Sequence, residues 1–312
     1  MDLSNVIQNF ILDRPVETLL IFSIVTSLPF FIYYVSKKYV SEYRLYKGFK
    51  KPKKFDYNLI SIGPDGTQFI TNFIKNNPKA KIVVVKNNKT MKAQSHLTPS
   101  DVAKASIDFL SGDPKIISPY EISLNGKTIS AKNILIATGA SSNTPDFIGV
   151  DKIAHYTPTT IWTLPEAPKK LLILGDNQTA CEFAQTYAER ESEVTLATAL
   201  HRLLPDEDEL VGEYILKNLA QQKITVLLNA RLEKFEKTNA QSIAVFDKDD
   251  ADLLIEFDVV LFCLGEIPNT AHIGLERLEI PLNPDGTIKV DSSLRTNYPT
   301  IYACGKAASY FD

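Results

Sequence analysis

Two stretches place a glycine directly after a buried-looking apolar run. "YNLISIG" ends at Gly63, and "KKLLILG" ends at Gly175. A glycine at such a strand end lets the backbone turn sharply into a helix. If further glycines follow at the second and fifth positions beyond it, backbone N–H groups at the helix N-terminus can hold a pyrophosphate. The first turn puts Gly63, Asp65 and Gln68 at those three places, with Gly66 relieving the turn in part. The second puts Gly175, Asn177 and Ala180 there. Alanine is tolerated at the third place. Asn can occupy left-handed backbone space, but its side chain fills the phosphate approach, and Asp65 and Asp176 add like charge. A carboxylate about 20 residues on would bind a ribose. The positions that should supply it read Lys86 and Thr198.

The thiols offer little chemistry. Cys181, Cys263 and Cys304 are scattered, odd in number and form no C-x-x-C, which predicts reduced, buried side chains in a reducing compartment. The four histidines, His96, His155, His201 and His272, are too widely spaced to suggest a metal site. The acidic run "PDEDE" (205–209) reads as the start of a helix, where the dipole favours negative charge.

The elements that must position these residues alternate between strand and helix, the pattern of α/β folds with parallel sheets. "YNLISIG", a helix through "TQFITNFIKNN" and "KIVVV" form one βαβ unit, and "KNILIATGA" ends another apolar strand at Gly139. A second unit runs from "KKLLILG" through a helix over 178–190 to "EVTLAT". Its helix has Ala180, Phe183, Ala184 and Tyr187 on one face. A helix over 208–222, a strand at 224–229 and strand-like pieces near 231–236 and 241–247 follow. "DVVLFCLG" then reads as a fully buried strand ending at Gly265, and "TIYACG" as a last apolar strand ending at Gly305.

The 312 residues suffice for two well-filled domains, and 44% hydrophobic with 23% charged residues is a globular balance. A net charge of −3 gives no reason to expect nucleic-acid binding. Glycine is scarce, 13 of 312 residues, or about 4% against an average near 7%.

The N-terminus differs from the rest. Residues 18–35 carry no charge across 18 positions, enough for a helix to span a bilayer core. Tyr33 and Tyr34 fall where an interfacial aromatic belt would lie. Eight Lys or Arg between 37 and 54 face a single acid, Glu42, whereas Asp2, Asp13 and Glu17 outnumber Arg14 on the other side. This bias predicts a single-pass anchor over 18–35 with everything after it in the cytoplasm. A buried or an interfacial helix is the alternative reading, because Ser, Thr and Pro29 dilute the run.

The order of these pieces resembles the flavin-dependent pyridine nucleotide-disulfide oxidoreductases, with mercuric reductase-like and dihydrolipoamide dehydrogenase-like proteins nearest. The stretches that carry it are 131–151, 161–196, "HRLLPDEDE" (201–209), "LGEIPNT" (264–270) and "DGTIKVDSSLRTNYPTIYACGK" (285–306). The resemblance implies two Rossmann-like domains binding FAD and NAD(P). The FAD-type domain would comprise 55–151 plus 257–312, the inserted NAD(P)-type domain 152–256, and the anchor and basic linker 1–54. It makes Gly63, Gly66, Gly139, Gly175, Asn177, Ala180, Glu182, Gly265 and Gly305 the candidate cofactor contacts.

The resemblance also implies features that these residues do not supply. A redox-active Cys pair belongs between Lys86 and the strand at 132, yet that segment has no cysteine, so Glu182 lacks the Lys expected beside it. The family's "GD" near its end reads Gly305-Lys306. The sequence ends at Asp312, and no C-terminal dimerisation domain is expected. Disulfide exchange needs a thiolate beside a second sulfur. The reading is therefore a membrane-anchored, catalytically degenerate member that works as a scaffold or complex subunit with protein partners. An active oxidoreductase without a redox disulfide, and a nucleotide-sensing subunit, stay open beside it.

Overall fold

The computed structural model describes residues 49–63, 67–86, 106–238, 241–248 and 251–309. Among them no helix is long and apolar enough to cross a membrane. The anchor expected over 18–35, the turn residues Asp65 and Gly66, and His96 lie outside the described residues. The described residues form two compact units, one of those up to 138 and from 270 onward, the other of those within 139–269.

In the first unit, β1 (Tyr57–Ile62) leads through the helix Thr67–Asn76 to β2 (Lys81–Lys86), parallel to β1 with Leu59 opposite Ile82. β3 (Ser106–Ser111) adds in parallel beyond β2. β4 (Pro114–Ser118), β5 (Glu121–Leu124) and β6 (Lys127–Ile136) form an antiparallel meander. β6 serves two sheets, because its first residues pair with β5 and its last with β1, giving the order β3-β2-β1-β6-β5-β4. The continuous apolar runs of β1, β2 and β6 follow from burial on both faces. Leu59, Ile82, Val84 and Leu135 pack under the helix with Ile70 and Ile74. Ile60, Val83, Ile134 and Ile136 feed the core on the opposite face.

The second unit begins with β7 (Ala140–Ser142) and β8 (His155–Tyr156). β9 (Lys170–Leu174), the helix Gln178–Ala188, β10 (Glu193–Ala197), the helix Glu209–Gln221 and β11 (Thr225–Leu227) are wound in sequence. β12 (Arg231–Lys237), β13 (Ser242–Lys248) and β14 (Ala251–Phe257) form an antiparallel sheet. β15 (Val259–Phe262) returns beside β9, and the five-stranded parallel sheet has the order β11-β10-β9-β15-β8. Leu171, Ile173, Val194 and Leu261 face the two helices. Leu172, Leu174, Val260 and Phe262 face the antiparallel sheet through Phe235, Phe246 and Phe257. β16 (Glu266–Pro268) pairs antiparallel with β7. The chain then returns to the first unit, where β17 (Ile288–Lys289) pairs with β19 (Ala308–Ser309), and β18 (Ile301–Ala303) lies parallel to β6.

The units divide at 138/139 and 269/270, not at 151/152 and 256/257. Residues 257–269 belong to the second unit because β15 pairs with both β9 and β8 in its central sheet. Residues 139–151 belong there because Phe147 stacks on Phe262 and the Phe235 N–H donates to Ile148 O. β3, β4, β5 and β14 were not anticipated. The helix expected over 178–190 ends at Ala188, with Glu189 as its C-cap.

Candidate functional site

In open α/β sheets ligands bind beyond the carboxyl ends of the strands, where the strand order reverses. In the second unit that point lies between β9 and β15, at Gly175 and Cys263. Gly175 has φ +154, and a Cβ there would stand 2.5 Å from Cys263 O and 3.1 Å from the Ala180 Cβ. Close packing of the turn against β15 therefore explains both the glycine and the small residue at 180.

Asn177 is the N-cap of the helix, with extended backbone at φ −89 rather than the left-handed conformation that Asn permits. Its Oδ1 accepts from the Ala180 N–H at 3.0 Å, and its Nδ2 donates to Cys263 O at 2.8 Å. The side chain thus takes over a helix N–H that a phosphate oxygen would otherwise meet, and ties the turn to β15. Asp176 lies beside it, accepting on Oδ2 from the Thr198 hydroxyl at 3.1 Å, while its carbonyl accepts from the Leu204 N–H at 2.7 Å. Thr198 also accepts from the Leu200 N–H at 3.1 Å, so its hydroxyl is engaged both as donor and as acceptor. The Asn177 amide therefore already engages the Ala180 N–H at this helix end. The Asp176 carboxylate stands next to that cap, turned toward Thr198.

The remaining candidates fall in several places. Gly139 (φ +66) and Gly265 (φ +80) flank the β7–β16 ribbon. Gly139 O accepts from the Asn269 N–H, and Gly265 O accepts from the Asn143 N–H, both at 2.9 Å. The two turns are thereby brought together by main-chain pairing. Glu182 is exposed and receives the Gln178 Nε2 at 2.8 Å one helical turn away. In the first unit Gly63 has φ +96, and a Cβ would lie 2.2 Å from Ala137 O. Gly305 has φ +66 and opens the short turn after β18. Lys86, where a ribose would need an acceptor, instead sets its ammonium 5.5 Å from the centre of the Phe109 ring.

All three cysteines are buried and reduced. Burial pushes the Cys181 thiol up to about 11, with Asp176 and Glu182 adding to the effect. Burial, then Cys181, pushes Cys263 up to about 12. Neither is a thiolate near neutrality, which is what nucleophilic sulfur chemistry requires. Their place in one helix–sheet core explains them as packing residues.

One feature of the site is not visible in any single motif. A cleft of about 300 Å³ opens at the same sheet edge, between Gly175–Asp176, the end of β10 at Thr198–Leu200, and Ala230–Leu232. Phe147, Phe246 and Leu264 close its apolar side. Its residues come from six separate segments, so no local spacing announces it.

The family model for pyridine nucleotide-disulphide oxidoreductases matches residues 54–311. The chain belongs to the pyridine nucleotide-disulphide oxidoreductase family. A mercuric reductase of Staphylococcus aureus is 29% identical over 198 residues, 64% of this chain and 36% of the relative. A dihydrolipoyl dehydrogenase of Chlamydia pneumoniae is 32% identical over 203 residues, 64% of this chain and 43% of the relative. The matched region thus spans about two fifths of these relatives' own length. In structure, the HOCl-induced flavoprotein disulfide reductase RclA of Escherichia coli superposes with a TM-score of 0.69 at 23% identity. That superposition covers 82% of this chain and 67% of the other. A water-forming NADH oxidase of Lactobacillus brevis gives 0.68 at 19% identity, covering 81% and 63%. These likenesses support the FAD/NAD(P)-dependent oxidoreductase fold for both units.

Proposed function

We propose that this chain uses the oxidoreductase fold as a non-reducing scaffold, carried on the cytoplasmic face of a membrane by its N-terminal segment. The observation that carries the reading is the Asn177 side chain, which caps the helix that would seat the nicotinamide dinucleotide. Thr198 engaged with Asp176 in place of a ribose-binding acid supports it, as do buried thiols held protonated. The uncharged stretch 18–35 and its basic flank support the membrane side of the reading. The test is NADH and NADPH oxidation by the detergent-purified full chain, with quinone, dioxygen and disulfide acceptors. The expected result is no consumption above the protein-free rate. Turnover with any of these acceptors overturns the reading.

A second reading, in which FAD is retained, has its own support in the first unit. β1 and β18 run parallel on either side of β6, so the left-handed turns at Gly63 and Gly305 lie at one edge of that sheet. FAD bound there would supply an isoalloxazine able to accept or donate electrons, whereas the chain's own part is to hold those two turns. Flavin released on denaturation separates the readings. About one per chain favours retention, and none favours a bare scaffold.

A further inference from the structure

We infer that the amino edge of the first unit's parallel sheet is a docking face for anionic phospholipid headgroups, which the lysines within residues 50–54 and 79–81 contact directly. The inference rests on the membrane side of the proposed function, and adds to it a charge for the leaflet and a fixed side of this unit turned toward it.

The segment that enters β1 is bound to that edge. Asp56 accepts from the Ser130 N–H at 2.9 Å and from the Ser130 hydroxyl at 2.8 Å, and its own N–H donates back to Ser130 Oγ at 3.1 Å. Phe55 packs beside Tyr120 with ring centres 5.8 Å apart, and the Lys51 ammonium lies 6.0 Å from the centre of the same ring. These contacts hold Lys50, Lys51, Lys53 and Lys54, all exposed, beside the sheet. β1 starts at Tyr57 and β2 at Lys81, adjacent and parallel, and the Lys81 N–H donates to Asn58 Oδ1 at 2.9 Å. The turn into β2 therefore brings exposed Lys79 and Lys81 to the same edge. The Ser130 hydrogen bonds, and behind them Lys81 and Lys54, hold the Asp56 carboxyl below its ordinary range, so both groups of lysines reach one carboxylate.

The acids standing among these six lysines are fewer and committed to neighbours. Asp56 is held by Ser130, Asp108 accepts from the Tyr57 hydroxyl at 2.8 Å and stands 4.0 Å from Lys81 Nζ, and Glu121 accepts from the Ser118 hydroxyl at 3.0 Å. A hollow of about 380 Å³ opens between Asn58, Asn77 and Lys79, and its lining carries one cation and no acid. Ammonium groups on flexible stems suit a fluid layer of phosphates and carboxylates, where each acts as a point charge. Phe49 follows Val35, the end of the uncharged stretch, by 14 residues, a reach of no more than about 50 Å. An anchor over 18–35 thus keeps this edge within range of the headgroups.

Hydrogen exchange on the full chain, in vesicles of phosphatidylcholine alone and with about 30% phosphatidylserine, reads the contact without any protein partner. Peptides over 50–58 and 77–82 should exchange several-fold more slowly with phosphatidylserine present. That protection should vanish when salt is raised from about 0.1 to about 1 M, where the Debye length falls from about 10 to about 3 Å. It should also vanish in a Lys53→Glu, Lys79→Glu chain, which leaves Lys81 and its contacts intact. Equal exchange in the two vesicles overturns the inference, while retention of the chain on phosphatidylcholine at high salt leaves the anchor standing. Protection that survives high salt or the double variant also overturns the inference. A chain washed off phosphatidylcholine but held and protected by phosphatidylserine at low salt overturns the anchor and supports this face.

Discussion

Replacing Asn177 by alanine removes two hydrogen bonds, one to the Ala180 N–H and one to Cys263 O. Loss of an N-cap side chain to alanine costs about 1 kcal/mol. Loss of the donor to a carbonyl on a residue only 2% exposed costs about 1 kcal/mol more. The expected destabilisation is therefore about 2 kcal/mol, or roughly 6–8 °C in Tm for a unit the size of residues 139–269. Asn177→Gly should be milder, about 1–1.5 kcal/mol, because glycine is accepted at an N-cap and alanine is not. That order is diagnostic, since inside a helix alanine is the better residue by about 1 kcal/mol. Urea unfolding of parent, Ala and Gly variants, followed by circular dichroism, measures it. If Ala is more stable than Gly, or if both match the parent, Asn177 is not the cap and the argument about the phosphate seat fails.

Other outcomes follow from the same geometry. Asn177→Gly combined with Asp176→Ala removes both the occupant and the like charge, and should raise NADH affinity about tenfold or more, measured by nicotinamide fluorescence. Gly63→Ala must place a Cβ 2.2 Å from Ala137 O at φ +96 and should cost more than about 2 kcal/mol, seen as a lower urea midpoint. Phe246→Ala empties a fully buried position beside the cleft and should cost about 3–5 kcal/mol. Cys181 and Cys263 have native thiol pKa values raised from the ordinary 9.0 to about 11 and about 12. The unfolded chain therefore loses these protons first. Their contribution is intact below pH 9 and is lost as pH rises through 11 to 12. A Cys181→Ala, Cys263→Ala chain should lose less stability between pH 9 and 11 than the parent, by urea midpoint.

Much of the fold could be read from the sequence because a parallel strand buried on both faces leaves a continuous apolar run. "LISI", "KIVVV", "LLIL" and "VVLF" all became central strands. The same uniformity hid the partner of "VVLF". An apolar run reports burial but not which sheet supplies it; only the parallel pairing with β9 assigns this strand to its sheet. β14 alternates half-buried and exposed residues on the outer strand of its sheet, a weak signal beside its charged neighbours. At the site, Gly175 and the misfit of Asn177 were legible because spacing defines a phosphate turn. The Nδ2 bond to Cys263 O was not, since it joins residues 86 apart in sequence. The cleft was invisible for the same reason.

The most direct test of the central claim is equilibrium binding of NADH to the purified chain, followed by quenching of nicotinamide fluorescence. With Asn177 capping the helix and Asp176 beside it, no saturable binding is expected below about 1 mM, the upper end of ordinary enzyme–substrate ranges. Saturation in the micromolar range would mean that the turn still seats a dinucleotide, and would contradict the account.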